Sequence, residues 1–290
     1  RCQPDRLERD LDHRRRRGIP DHRDGRGRPA DHDQRRRFGR HQIHRDQQRP
    51  HLPLPKPYSF HACGITGRFW IETLEDWETF SDGGKYTEQQ SVKSIIESLI
   101  HIHNSPSVFW DIGAAQGKYT IMAALAGAHV IAFEPYRKYR TQLLNNRVLN
   151  GLVENSIEVI NYALSDRDGT ADLYSGGASP SLINVRGCTI RTQVVSKTIN
   201  SLLREGDIPI PTHVKIDVEG SELAILRGAR DLFESDKRPG NVLIEIHTDH
   251  LRAVGACADN VTGLLHSWGY TEQIGDTVLR GSTTLHHFIR

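Results

Sequence analysis

The sequence predicts an α/β fold in which a mostly parallel sheet carries helices on both faces, preceded by a small N-terminal cap. Two observations carry that prediction. From Ser107 onward, short apolar runs alternate with segments of helical periodicity, the pattern of strands buried on both faces. The chain's 290 residues also suffice for one large α/β domain after a polar leader. The longest mostly apolar stretch, 121–133, is too short to span a bilayer and is broken by Gly127 and His129, so no membrane span is expected. No charged-then-apolar leader opens the chain. Four dispersed cysteines without a CxxC pair suggest neither a disulfide scaffold nor a structural zinc site, and a cytoplasmic location is expected.

The elements follow in order. Residues 1–50 hold sixteen arginines, no lysine and nine acidic residues, whereas the rest of the chain is acidic on balance. With five Leu, Ile or Phe among those fifty, the segment 1–57 cannot bury enough apolar surface to order itself and is expected to be disordered. Two readings stand for it: an arginine-rich arm for nucleic acid or anionic lipid, or a non-native or mistranslated segment. Nucleic acid is a partner only under the first. Residues 58–105 form the cap. Within it, 66–82 alternate aromatic and polar side chains as a short hairpin would. Val92, Ile95, Ile96, Leu99 and Ile100 then recur at helical spacing.

The domain at 106–290 opens with SVFWDIG as a buried strand and 118–126 as a helix. AHVIAFEP is the second strand. A helix at 137–150 presents Tyr139, Leu143, Leu144 and Val148 on one face, and IEVINYAL is the third strand. A 165–211 insertion follows, longer than a crossover helix needs. Its segments 170–174 and 189–197 read as a hairpin around the loop SGGASPS. THVKIDV is the fourth strand, followed by a helix with Leu223, Leu226, Ala229 and Phe233 on its apolar face. NVLIEIH is the fifth.

In such sheets ligands bind beyond the carboxyl ends of the strands, which places Asp111, Glu134, Ala163, Asp217 and His247 at the candidate site. Gly113 and Gly117 permit a tight turn after the first strand. Glu134, ending the second strand, is placed to accept hydrogen bonds from both ribose hydroxyls. The loop is GxxxG rather than the GxGxxG of dinucleotide sites, and Asp111 before it suits a cationic ligand better than a pyrophosphate. S-adenosyl-L-methionine fits that preference.

The motifs DIGAAQGKYT, AFEP, NYALSDRDG, KIDVEGSELAILRGA and IEIH, in this order, resemble those of FkbM-family methyltransferases across about residues 66–288. The family more often has Asn near Ala115 or Gln116. The resemblance implies a class I methyltransferase (Rossmann-like) sheet of order 3-2-1-4-5-7-6, S-adenosyl-L-methionine as cofactor, and O-methylation of a hydroxyl. The acceptor would be a sugar, polyketide or similar small molecule or glycan. It also implies that Asp111, Gly113, Ala114 and Gly117 form the methionine-side loop, that Glu134 contacts the ribose, and that Asn161 and Ala163 border the adenine.

For the chemistry, Glu245 and His247 share a strand face next to Asp217. His247 is expected as general base with a pKa of roughly 6–7, its ring oriented by Asp217 or Glu245. Glu219 and Glu222 are read as complements of the following helix dipole, and Lys215, Arg227 and Arg230 as solvated surface. The histidine pairs 101/103, 247/250 and 286/287 lack metal-ligand spacing, so no metal is expected. Two other readings stand: a nucleotide-cofactor oxidoreductase on the same sheet, and a non-catalytic methyltransferase-like binding protein.

Overall fold

In a computed structural model of the protein, the residues described are 56–73, 76, 80, 88–100, 107–176, 179–184, 187–206, 208–273, 278–280 and 282–290. Of the Arg-rich 1–57 segment, only Lys56 and Pro57 are among them, and both lie in the first strand. The expectation of disorder for the remainder lies outside the described residues, as do His101 and His103.

The cap is a hairpin of β1 (Lys56–Ala62) and β2 (Ile65–Ile71), paired from Lys56↔Ile71 to Ala62↔Ile65. It therefore sits N-terminal to the hairpin expected at 66–82. Its inward residues Phe60 and Phe69 pack with Val92, Ile95 and Ile96 of α1 (Glu88–Ile100), whose periodicity is as read.

The α/β core then runs β3 (Val108–Ile112), α2 (Lys118–Leu125), β4 (His129–Phe133), α3 (Arg137–Leu149) and β5 (Ile157–Ile160). After the insertion come β9 (His213–Ile216), α5 (Glu222–Gly228), α6 (Arg230–Glu234), β10 (Asn241–His247) and α7 (Thr248–Ala253). The chain closes with α8 (Ala258–Ser267), β11 (Thr271–Glu272), β12 (Val278–Arg280) and β13 (Thr283–Ile289). The main sheet is ordered β5-β4-β3-β9-β10-β13-β11, with β12 off β13. The strands from β5 to β10 are parallel, and β13 runs antiparallel to both its neighbours. With the short β12 set aside, that is the 3-2-1-4-5-7-6 order.

Strand alternation divides the core in two. Trp110, Ile112, Ile131, Phe133, Val214, Ile216, Ile244 and Ile246 point to one face, against α5, α6 and α8. Phe109, Val130, Ala132 and Leu243 point to the other, against the hairpin, α1 and α2. By the same alternation Asp111, Lys215, Glu245 and His247 project to the second face, so polar groups of three adjacent strands meet there.

Two further expectations change. IEVINYAL is not one strand: it breaks at Asn161, and β6 (Tyr162–Leu164) leaves the main sheet to pair with β8 (Ile190–Lys197). The insertion thereby forms a separate sheet, β6-β8-β7, from β7 (Gly169–Ser175) and β8 (Ile190–Lys197), followed by α4 (Ile199–Glu205). The antiparallel hairpin itself is as read. On α3, Tyr139 and Leu143 are buried, but Leu144 and Val148 are exposed, and Asn146 takes the buried place. Among the described residues no helix is long and apolar enough to cross a membrane.

Candidate active site

β3 ends in a turn built from tight backbone approaches. The amides of Gly113 and Ala114 both donate to the Phe133 carbonyl at 3.0 and 3.1 Å, and Asp217 N–H donates to the Ile112 carbonyl at 3.0 Å. Gly113 has φ +79°, and a Cβ there would lie 1.9 Å from the Asp217 carbonyl oxygen. No other residue fits that position without moving β9. Gly117, at φ +91°, would place a Cβ 2.7 Å from Leu143 Cγ.

Glu134 stands beside this turn, almost fully buried. Its Oε2 accepts from Ala115 N–H at 2.8 Å and its Oε1 from Tyr136 N–H at 2.7 Å. Burial pushes its carboxyl up to about 7, against the downward pull of those two amides and of Arg140. A cavity opens here. Gly113, Ala115, Gln116 and Glu134 line one side, Tyr162, Ala163 and Leu173 another, and Ser181, Leu182, Asp217 and Glu219 the far end.

Asn146 braces the turn from behind. Its carbonyl accepts from Trp70 N–H at 2.9 Å and its amide donates to the Gln116 carbonyl at 2.9 Å. One buried α3 side chain thus ties the cap hairpin to the loop.

Asp111 and Lys215 pair across β3 and β9. Asp111 Oδ2 accepts from Thr120 Oγ1 at 2.6 Å, while its Oδ1 lies 3.6 Å from Lys215 Nζ. Lys215 is buried, 3.1 Å from Asp217 Oδ2 and stacked over the Tyr119 ring. Burial works against its charge, but Asp217 and Asp111 outweigh that and hold its ammonium above the ordinary lysine range. The reading of Lys215 as solvated surface is corrected: a lysine inside a strand covered on both faces has no route to water and takes carboxylates instead. Arg227 and Arg230 are exposed, as read.

At the far end, His247 Nδ1 donates to Glu222 Oε1 at 2.7 Å, and both side chains are buried. His247 Nε2 faces Asp217 Oδ1 at 3.9 Å, Glu219 Oε2 at 3.6 Å and Glu245 Oε1 at 3.7 Å. The structure therefore brings Asp217 and His247 together, but Glu222 orients the ring. That corrects both the expected orienting residues and the reading of Glu222 as a dipole complement. Burial disfavours the charged ring, yet the Glu222 hydrogen bond and the charges of Glu219 and Asp217 raise its pKa to about 9. The expected value of roughly 6–7 left out the Glu222 contact, and a ring that keeps its proton up to about 9 does not fit the expected role of His247 as general base at neutral pH.

Residues 111–272 match the family model described as the methyltransferase FkbM domain. The chain belongs to the FkbM methyltransferase family. Over 203 residues this FkbM methyltransferase is 27% identical to the hexuronic acid methyltransferase AglP of Haloferax volcanii, covering 66% of this chain and 74% of that protein. Among solved structures it resembles the FkbM methyltransferase from Methylobacillus flagellatus KT, with 19% identity and a TM-score of 0.45. That likeness covers 63% of this chain, and the chain spans 43% of that structure's length. It also resembles a SAM-dependent methyltransferase from Agrobacterium tumefaciens, with 12% identity, a TM-score of 0.48, and coverage of 83% and 72% of the two chains.

Of the residues expected at the cofactor end, Gly113, Glu134 and Ala163 reach the cavity wall of the FkbM domain. Ala114, Gly117 and Asp111 stand behind the turn, and Asn161 is exposed at the break between β5 and β6. Sequence reasoning missed Lys215, Glu222 and Asn146. A lysine alternating with apolar residues in a buried strand was the available signal for the first. The other two act across 25 and 30 residues of separation, and no local pattern marks them.

Proposed function

We propose that the chain binds S-adenosyl-L-methionine in the cavity beside Glu134 and methylates an oxygen of a sugar or related acceptor. The observation that carries this is the pairing of the Gly113 turn with a buried carboxylate at the end of the next strand, both on one cavity wall. A Cβ at residue 113 would fill the space that lets turn and β9 close up, so the cradle depends on glycine. Each Glu134 oxygen accepts one backbone amide and keeps a second lone pair for a ribose hydroxyl. Gly113 and its neighbours Ala114 and Gly117 shape the methionine side, with Asp111 behind them. Ala163 and the neighbouring Asn161 segment bound the adenine side.

The cofactor supplies a methyl group on a cationic sulfur, already activated for displacement. The chain's own residues then have two tasks. Asp217 and His247, with Glu219, form the acceptor end of the site, and the proton lost by the acceptor oxygen passes to the carboxylate cluster that Asp217 and Glu219 present to the cavity. The AglP relative is named for a hexuronic acid, which supports a sugar acceptor over a polyketide. The test is mass spectrometry of hexuronic acid glycosides and neutral glycosides incubated with the protein and S-adenosyl-L-methionine. Gain of one methyl group on a glycoside supports the reading. Transfer to none of them, with transfer to a non-sugar hydroxyl, would replace the acceptor class.

A further inference from the structure

His247 presents a buried ring edge to three carboxylates and hydrogen-bonds to none of them. Its side chain is 5% exposed, its Nδ1 is committed to Glu222, and its Nε2 has oxygens of Asp217, Glu219 and Glu245 at 3.6–3.9 Å. Those separations exceed hydrogen-bond range. They fall instead between the spacings of ligands around a shared cation, about 3 Å for adjacent and about 4.2 Å for opposite ligands when bonds are near 2.1 Å. The ligand atoms of Asp217, Glu245 and His247 all lie within 4.8 Å of one another. Glu219 Oε2, a buried carboxylate oxygen with no hydrogen-bond partner, lies 3.6 Å from the same nitrogen and 3.7 Å from His250 Nε2. The Glu222 contact also supplies the outer carboxylate that commonly fixes the tautomer of a metal-binding histidine.

We propose that Asp217, Glu245 and His247 form a divalent-cation site at the acceptor end of the cavity, with Glu219 as a further ligand and Glu222 holding the ring. An oxygen-dominated set with one imidazole suits Mn²⁺ best among common divalent ions, because carboxylates favour Mg²⁺ and Mn²⁺ while imidazole favours the first transition row. Local spacing concealed the site, since its ligands come from the ends of two different strands. The site stands on this cluster alone. Its use, holding neighbouring acceptor oxygens and making a bound hydroxyl more acidic, rests on the methyl-transfer reading.

The test is calorimetric titration of the chelator-treated full chain with MnCl₂, with pulsed electron paramagnetic resonance of the bound ion. Saturable binding of one Mn²⁺ with an imidazole nitrogen signal is expected, and the signal should vanish in His247→Gln. Glu245→Gln and Glu222→Gln should each weaken Mn²⁺ binding at least ~10-fold. Titration with S-adenosylhomocysteine runs in parallel: Glu245→Gln should keep wild-type affinity, which shows that it is folded. Mn²⁺ binding without S-adenosylhomocysteine binding in the wild type would uphold the cation site and remove its assigned use. Absence of saturable Mn²⁺ binding, or equal affinity in wild type, Glu245→Gln and His247→Gln, would overturn the site and leave an imidazolium caged by carboxylates.

Discussion

Glu222 Oε1 lies 2.7 Å from His247 Nδ1, joining the first residue of α5 to the last residue of β10 inside the protein. The same oxygen accepts from Gly220 N–H at 3.0 Å, so one carboxylate fixes a turn and a ring together. The ring's second nitrogen is thereby pointed at Asp217, which lines the cavity. Glu222→Gln keeps the volume but loses the charge that holds the ring. Methyl-transfer kcat should fall at least ~10-fold, with S-adenosylhomocysteine affinity changed by less than ~3-fold. Steady-state kinetics beside calorimetry separates the two effects, and an unchanged kcat would release Glu222 from any role in the chemistry.

Glu134 sets a pH dependence whose sign is fixed. Its carboxyl is raised from 4.5 to about 7 in the folded chain, so between those values the folded state keeps a proton that the unfolded chain has lost. Its contribution to stability is therefore present below about 4.5 and is lost as pH rises through 7. Ribose hydroxyls donating to the carboxylate favour its ionised form, so cofactor affinity should move in the opposite direction. Between pH 6 and pH 8 the affinity for S-adenosylhomocysteine should rise about tenfold, with proton release on binding. Glu134→Gln should flatten that profile. A flat profile in the wild type would remove Glu134 from the ribose contact.

Gly113→Ala combines a left-handed φ with a backbone collision at 1.9 Å, whereas Gly127, at φ +95°, has open space around it. The first substitution should cost about 2–5 kcal/mol of stability and the second about 1 kcal/mol. Urea unfolding of both variants makes the comparison. Equal costs would mean that the close contact between the turn and the Asp217 carbonyl relaxes freely.

Asn146→Ala strands the Gln116 carbonyl and the Trp70 amide, each bonded now to one end of the Asn146 side chain. A loss of about 1–3 kcal/mol is expected from buried polar groups left unpaired. Because Gln116 lines the cavity, S-adenosylhomocysteine affinity should fall along with Tm. A variant that loses Tm but binds normally would confine Asn146 to a structural role.

The sheet was legible because burial on both faces leaves a one-dimensional trace: near-continuous apolar runs such as FWDI and VIAF cannot be surface strands. The GxxxG turn and Glu134 were legible for a related reason, since both follow directly from where strands end. What escaped was set by contacts between distant segments. Asn161 ended the third strand where the pattern continued, because β6 found a better partner in β8 than in the main sheet. Leu144 and Val148 looked like core by spacing, yet α3 turns Asn146 inward to serve two backbone groups. His247 was visible, but its pKa depends on Asp217 and Glu219 of the β9–α5 loop and on Glu222 of α5, and of these a strand-face argument supplied only Asp217.

A cofactor held between the Gly113 turn and Glu134 is central to the proposed chemistry. Its most direct test is calorimetric titration of the full chain with S-adenosylhomocysteine, repeated with NADH and on Glu134→Ala. One saturable S-adenosylhomocysteine site, no NADH binding, and a loss of about 1.5–3 kcal/mol of binding free energy in Glu134→Ala are expected. Binding of NADH in place of S-adenosylhomocysteine, or wild-type affinity in Glu134→Ala, would contradict it.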